Sequence, residues 1–219
     1  MSNTSLVIGS TGLVGKKLIF ELAKKESEVI AISRRPIINL PKNVSLLNIN
    51  FDDFLKNGNL PSCDHIYICL GTTIKKAGSQ NEFKKVDFDY CISFARKARR
   101  AGATKISLIS SVGASPFTKN FYLKTKGEVE EEIKKIDFQV INIFRPSLLL
   151  GRREENRFLE KIGQNLSSFI NLFLIGSFRK YRSIKASNIA YCMANYQQSS
   201  GIRYPVSYTH LTLPTILLV

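Results

Sequence analysis

A doubly wound parallel α/β sheet is the fold class this sequence predicts, and three observations predict it. Strand-like apolar runs alternate with stretches of helical periodicity across residues 5–147, the pattern of a parallel sheet with helices on both faces and right-handed connections. At the first strand-to-helix junction, Gly9, Gly12 and Gly15 recur at even spacing. A chain of 219 residues, 44% of them hydrophobic, fills one good-sized core, so residues 1–205 are expected to form a single domain.

The first strand, Ser5 to Ile8, ends at Gly9, and a helix is expected from about Gly12 to Lys25, with Leu13, Val14, Leu18, Ile19, Leu22 and Ala23 on its buried face. The free N–H groups at such a helix start can hold a pyrophosphate. Gly9 would permit the tight turn, Gly12 the close approach of phosphate to backbone, and Gly15 the packing of helix on strand. The spacing is G-x-x-G-x-x-G, not the commoner G-x-G-x-x-G, and a purely structural turn is the competing reading.

Glu28 to Ser33 reads as the second strand, followed by Arg34, Arg35 and Pro36. In a dinucleotide fold this strand end meets the adenosine ribose, where an acidic residue suits a free 2′-hydroxyl and arginine a 2′-phosphate. Ser33, Arg34 and Arg35 therefore favour NADP(H) over NAD(H); a solvated basic turn is the alternative. Val44 to Ile49 supplies a third strand with Asn50, Asp52 and Asp53 at its end. An acceptor there suits an adenine amino group, and capping the next short helix suits it equally.

The fourth strand, His65 to Leu70, runs into Gly71-Thr72-Thr73, a small-residue segment suited to backbone passing close to a cofactor. His65 falls at the end of the strand remote from ligands and reads as structural. Glu82 to Ala101 is expected to be one long helix, with Phe83, Val86, Tyr90, Phe94 and Ala98 on one face and basic residues complementing the dipole at its end. Lys105 to Ser110 is the fifth strand, leading into Ser111-Val112-Gly113. A helix from Tyr122 to Lys135, a sixth strand from Phe138 to Phe144 and Arg145-Pro146-Ser147 follow.

Beyond Gly151 the pattern changes. Residues 151–182 are expected to form a small helical cap over the strand ends, in which Arg152, Arg153 and Arg157 would meet an anionic group or line a solvated basic face. Lys185 to Tyr196 reads as a final surface helix. Residues 206–219 carry no Lys, Arg, Asp or Glu and resemble the translation of a transposon adaptor used in preparing sequencing libraries, so a non-native tail is expected.

Composition narrows the classes. The formal charge of +15 invites nucleic acid, but the basic residues are scattered and carry no recognition motif, so a basic surface around an anionic cofactor is expected and specific nucleic-acid binding is not. The absence of an apolar run long enough to span a membrane, or of a signal segment, leads to the expectation of a soluble cytoplasmic protein. Cys63, Cys69, Cys91 and Cys192 form no C-x-x-C pair and read as free thiols.

Tyr122 and Lys126 stand four residues apart on one helix and share a face. An ammonium beside a phenol favours the phenolate, making the tyrosine a proton donor and acceptor near neutral pH. Ser111 can donate a hydrogen bond to a substrate carbonyl, and hydride transfer from a nicotinamide completes a reduction.

With these residues the chain resembles the short-chain dehydrogenase/reductase superfamily, specifically the atypical Tat-interacting-protein oxidoreductase group. The match runs through Thr11-Gly12-Leu13-Val14-Gly15, Leu70-Gly71-Thr72-Thr73, Lys85-Val86-Asp87, Ser110-Ser111-Val112-Gly113-Ala114, Tyr122-Leu123-Lys124-Thr125-Lys126-Gly127-Glu128, Arg145-Pro146-Ser147 and Leu150-Gly151-Arg152. The resemblance implies a Rossmann NAD(P)-binding fold with a small C-terminal cap and a catalytic set of Ser111, Tyr122 and Lys126. It implies NADP(H) bound by Gly9, Ser10, Thr11, Gly12, Leu13, Val14, Gly15 and Arg34, with Lys126 on the nicotinamide ribose; Ser33, Arg35, Asn50, Leu70, Gly71, Thr72, Tyr122 and Pro146 complete the expected cofactor site.

Two residues depart from that pattern. Asn50 stands where relatives have an aspartate near adenine, and Asp87 lies where many members place a catalytic asparagine. The expectation is an NADP(H)-dependent reductase of a small-molecule carbonyl, its oligomeric state open. A non-catalytic NADP(H) sensor and a nucleotide-sugar epimerase or dehydratase are the rivals.

Overall fold

Leu6, Val7 and Ile8 are fully buried because their strand has a parallel neighbour on each side and a helical layer over each face, the setting in which strands read as continuous apolar runs. The computed structural model describes residues 4–25, 28–147, 149–150, 184–196 and 200–206. The expected cap at 151–182, with its arginines, and residues 207–219 lie outside the described residues.

The elements are β1 (Thr4–Ile8), α1 (Gly15–Ala23), β2 (Glu28–Ser33), β3 (Val44–Asn48), α2 (Phe51–Asn57), β4 (His65–Ile68), α3 (Ile74–Ala77), α4 (Gln80–Lys84), a π turn (Lys85–Asp89), α5 (Tyr90–Arg100), β5 (Lys105–Ile109), α6 (Phe121–Lys134), β6 (Val140–Phe144), β7 (Leu149–Leu150), β8 (Ile184–Lys185), α7 (Ala186–Asn195) and β9 (Gly201–Val206). Seven strands form one sheet in the order β3-β2-β1-β4-β5-β6-β9. Every pairing is parallel, with Ile8 opposite both Ile32 and Ile68. The strand order reverses between β1 and β4, which opens a crevice at their carboxyl ends. One core face packs Leu6, Ile8, Ile66, Ile68, Phe94 and Val129; the other packs Val7, Leu18, Ile19, Tyr67, Phe144 and Ile189.

Three expectations need correction, and one strand was not foreseen. Helix α1 starts at Gly15, not near Gly12, because the Gly12 N–H donates to Gly9 O at 2.9 Å and keeps the intervening residues in turns. The long helix expected over 82–101 is broken by the π turn at Lys85–Asp89. Phe83, Tyr90, Phe94 and Ala98 are still buried and Val86 is only partly so. Helix α7 buries Ala186, Ile189, Ala190 and Met193 in the second core and packs on α1, so it is more than a surface helix. Lastly, β9 is a strand the sequence pattern hides. Pro205 interrupts its run, which an edge strand tolerates.

Cys63, Cys91 and Cys192 are buried and all four thiols are free. Burial pushes Cys63 up to about 11. No described helix is long and apolar enough to cross a membrane.

His65 lies at the end of β4 away from the crevice. Its Nε2 shares a 2.9 Å hydrogen bond with Ser107 Oγ, and its ring stacks on Tyr67 with centroids 3.9 Å apart. Burial, helped by Lys105, lowers its pKa to about 3. The unfolded chain would bind this proton near pH ~6.5 and the folded chain would not. The stability tied to neutral His65 is therefore complete above about pH 6.5 and lost as pH falls towards the folded value. We expect His65→Gln to flatten that decline in denaturation series from about pH 7 down to about pH 4; an equally steep decline would refute the assignment.

Candidate active site

The glycine turn closes the crevice from one side. Gly9 has φ +82°, and a Cβ there would lie 2.6 Å from the backbone of Cys69 at the end of β4. A Cβ on Gly15 would lie 2.3 Å from Gly9 O, so the first turn of α1 is pressed onto the end of β1. The two positions thus do the turning and packing assigned to them from sequence. Ser10 is fully buried, and its hydroxyl donates to Ile32 O of β2 at 2.9 Å. Val14 is buried in the core, whereas Thr11 is exposed and Gly12 and Leu13 are half-buried. Ser10 and Val14 can therefore offer a ligand backbone only.

At the end of β2, the Ser33 hydroxyl donates to Arg35 O and accepts from the Arg35 N–H at 3.3 Å. This local loop leaves Arg34 and Arg35 exposed. The Arg34 guanidinium carbon stands 5.4 Å from the Phe51 ring centroid, a cation–π arrangement. Arg34, Asn50, Phe51, Asp52 and Tyr90 line a cavity of about 370 Å³. Asn50 Oδ1 accepts from the backbone N–H groups of Asp52 and Asp53 at 2.9 and 3.3 Å. The residue is the cap of α2, and its oxygen is not free to accept from adenine. Its amide N–H₂ remains a donor at the cavity.

Arg34, Asn50 and Asp52 were singled out from the sequence, but Phe51 and Tyr90 of the cavity wall, and the Lys85 that pairs with Asp52, were not. Lys85 Nζ and the Tyr90 hydroxyl each donate to Asp52 at 2.9 Å, and the two bonds hold the Asp52 carboxyl below its ordinary range. Phe51 meets Tyr90 edge-on, with ring centroids 5.4 Å apart. The helical spacing of Tyr90 and Phe94 was the available signal, but it reports only burial.

The second half of the crevice is built around α6. Asn120 caps this helix through Leu123 N–H at 3.0 Å, and Tyr122 and Lys126 share one face of it. Lys126 is nearly buried, with 5% of its side chain exposed, and its Nζ lies 2.7 Å from Asp87 Oδ1. The ion pair with Lys126 is the contact Oδ1 makes among the described residues. Asp87 Oδ2 accepts the Thr72 N–H at 2.9 Å. Burial pushes the Lys126 pKa down, but Asp87, with Tyr122 and Cys91, outweighs it, and the net shift is upward. Lys126 is a cation at neutral pH.

The loop after β5, which carries Ser111, is tied both to the end of β6 and to α6. Val112 N–H donates to Pro146 O at 2.9 Å and Ser115 N–H to Leu123 O at 3.2 Å. A Cβ on Gly127 would lie 2.3 Å from Ser115 C, so a larger residue would push helix and loop apart. The Ser111 hydroxyl reaches only Val112 O, at 3.4 Å, among the described residues. Pro146 and Leu70 are buried, and the Pro146 carbonyl is engaged by Val112. One turn further along the face of Tyr122 and Lys126, Glu130 binds Arg145 through both carboxylate oxygens and accepts from the Ser110 hydroxyl. That latch was also missed.

These features fit a dinucleotide. The glycine turn at the end of β1 and a cavity lined by Arg34 and Asn50 lie on one side of the crevice, and the buried, ion-paired Lys126 ammonium lies on the other. A family model described as the NAD dependent epimerase/dehydratase family matches residues 5–176. Protein HTATIP2 of Rattus norvegicus is 34% identical over 164 residues, 72% of this chain and 67% of its own, in keeping with the group read from the motifs. Protein FMP52, mitochondrial, of Saccharomyces cerevisiae is 33% identical over 185 residues, 81% of this chain and 76% of its own.

Solved structures share the fold at low identity. The human epimerase family protein SDR39U1 with NADPH superposes with a TM-score of 0.64 at 20% identity, over 94% of this chain and 76% of its own. The UDP-N-acetylglucosamine 4-epimerase from Bacillus cereus gives 0.65 at 15%, over 92% and 78%. One expectation is overturned: several FMP52 relatives are named mitochondrial, against the cytoplasmic location read from the sequence.

Proposed function

The chain belongs to the NAD dependent epimerase/dehydratase family, and from that premise we propose that it is an NADP(H)-dependent oxidoreductase reducing the carbonyl of a small molecule. The observation that carries this reading is the buried, cationic Lys126 on one helical face with Tyr122. A bound nicotinamide supplies the hydride. Around it, Gly9 to Gly15 and Arg34 hold phosphates, Asn50 donates to the adenine, and Gly71 and Thr72 bring backbone to the nicotinamide half. The Ser111 hydroxyl donates to the substrate oxygen, and Tyr122 passes that oxygen a proton while Lys126 steadies the phenolate. By kinship with FMP52, we place the protein in mitochondria.

Calorimetric titration with NADPH and NADH tests the cofactor choice. NADPH is expected to bind at least about tenfold more tightly, and Arg34→Ala to remove most of that margin, since a charge-assisted bond contributes about 1.5–3 kcal/mol. Tighter binding of NADH would overturn the role of Arg34. Retained NADPH with no net consumption across a carbonyl panel would instead favour an epimerase or a sensor.

A further inference from the structure

Resting on the redox reading above, we propose that Asp87 is a positioning residue, whose carboxylate on the π turn fixes the Lys126 ammonium and couples it to the Gly71–Thr72 backbone. Asp87 is fully buried, an unusual state for an acid unless it is paired. One oxygen stands 2.7 Å from Lys126 Nζ and the other accepts the Thr72 N–H. Gly71 faces the pair without a side chain: a Cβ there would lie 3.7 Å from Asp87 Oδ1 and 4.0 Å from Lys126 Nζ. The carboxylate thus joins the loop that ends β4 to the helix that carries Tyr122.

Asp87 sits in the middle of the π turn, a widening of the helix of the kind found at functional sites. It follows Phe83 by four residues and precedes Tyr90 by three, so it shares their inward face, and all three are buried. Around Lys126 the other ionisable groups are Tyr122 on its own helix and Cys91 on α5. Asp89 acts on Cys91, and Cys91 in turn on Cys69 at the end of β4. Among these groups, Asp87 is the carboxylate in contact with the ammonium.

The test reads Lys126 directly. The full chain, labelled with [13Cε]lysine, is titrated by NMR, and Lys126→Met identifies the Lys126 resonance. In the wild type Lys126 stays cationic through the alkaline range. In Asp87→Asn, burial acts without the opposing charge, and Lys126 loses its proton at least about one pH unit lower, a tenfold change in its ionisation constant. An unchanged titration would overturn the proposal.

Should Asp87→Asn not fold, Asp87→Asn/Lys126→Met removes both charges and is expected to regain most of the lost stability. A double variant no more stable than the single one also overturns it. In turnover, the alkaline limb of the Asp87→Asn pH profile moves to lower pH with the Lys126 titration. Neither the NMR nor the stability measurement uses cofactor or substrate. A shifted titration in a protein that reduces no carbonyl therefore sinks the redox reading alone, and an unshifted one in an active enzyme sinks the positioning role alone.

Discussion

Tyr122→Phe is expected to lower kcat for carbonyl reduction by about 10²–10⁴ while leaving NADPH affinity within about twofold, because it removes a proton donor and little else. The ring packs on Phe83 with centroids 5.7 Å apart at 54°, and phenylalanine keeps that contact. Helix α6 is capped by Asn120 and anchored by Glu130, neither of which the substitution touches. Steady-state NADPH oxidation and calorimetry on the same preparation separate the two effects. Equal turnover in variant and wild type would remove Tyr122 from the chemistry, whatever the fold of the chain.

The second large effect is on stability. Glu130→Ala is expected to cost about 3 kcal/mol, in the range found when one partner of a buried ion pair is removed. Glu130 is 1% exposed and Arg145 29% exposed. The substitution takes the carboxylate from Arg145 at the end of β6 and from Ser110 at the end of β5, so α6 loses its tie to both strands. Urea denaturation measures the difference, and a loss below about 1 kcal/mol would put the latch among ordinary surface pairs.

The strands were legible because a buried parallel strand is a predominantly apolar run, and β1, β2, β4, β5 and β6 are such runs, broken only by single small polar residues such as Ser107 and Asn142. The glycine turn was legible for a related reason: Gly9 and Gly15 sit where a Cβ would strike backbone, so no other residue type fits. Helix starts were less legible. Leu13 and Val14 continue the apolar period of α1 although they belong to the turn before it.

The π turn left no mark at all, since Phe83, Tyr90, Phe94 and Ala98 satisfy a helical period across it. For the same reason Asp87 read as a departure from a family motif when its meaning lies in its contact with Lys126, far along the chain. Asn50 had two roles that a sequence cannot separate. The geometry of α2 separates them, because the oxygen that would have accepted from adenine already accepts from two backbone N–H groups.

The short ribbon of β7 and β8 has a bearing on how such a protein diversifies. Leu149 pairs with Ile184 and Leu150 with Lys185, in parallel, so a ribbon separate from the seven-stranded sheet holds the two ends of the intervening stretch side by side. The entropy of holding two such anchor points together grows only with the logarithm of the chain length between them, about 0.6 kcal/mol per doubling. Changes of length between the two anchors therefore cost the seven-stranded sheet little, and this stretch is free to vary while the strand ends around Gly9, Ser111 and Lys126 stay as they are.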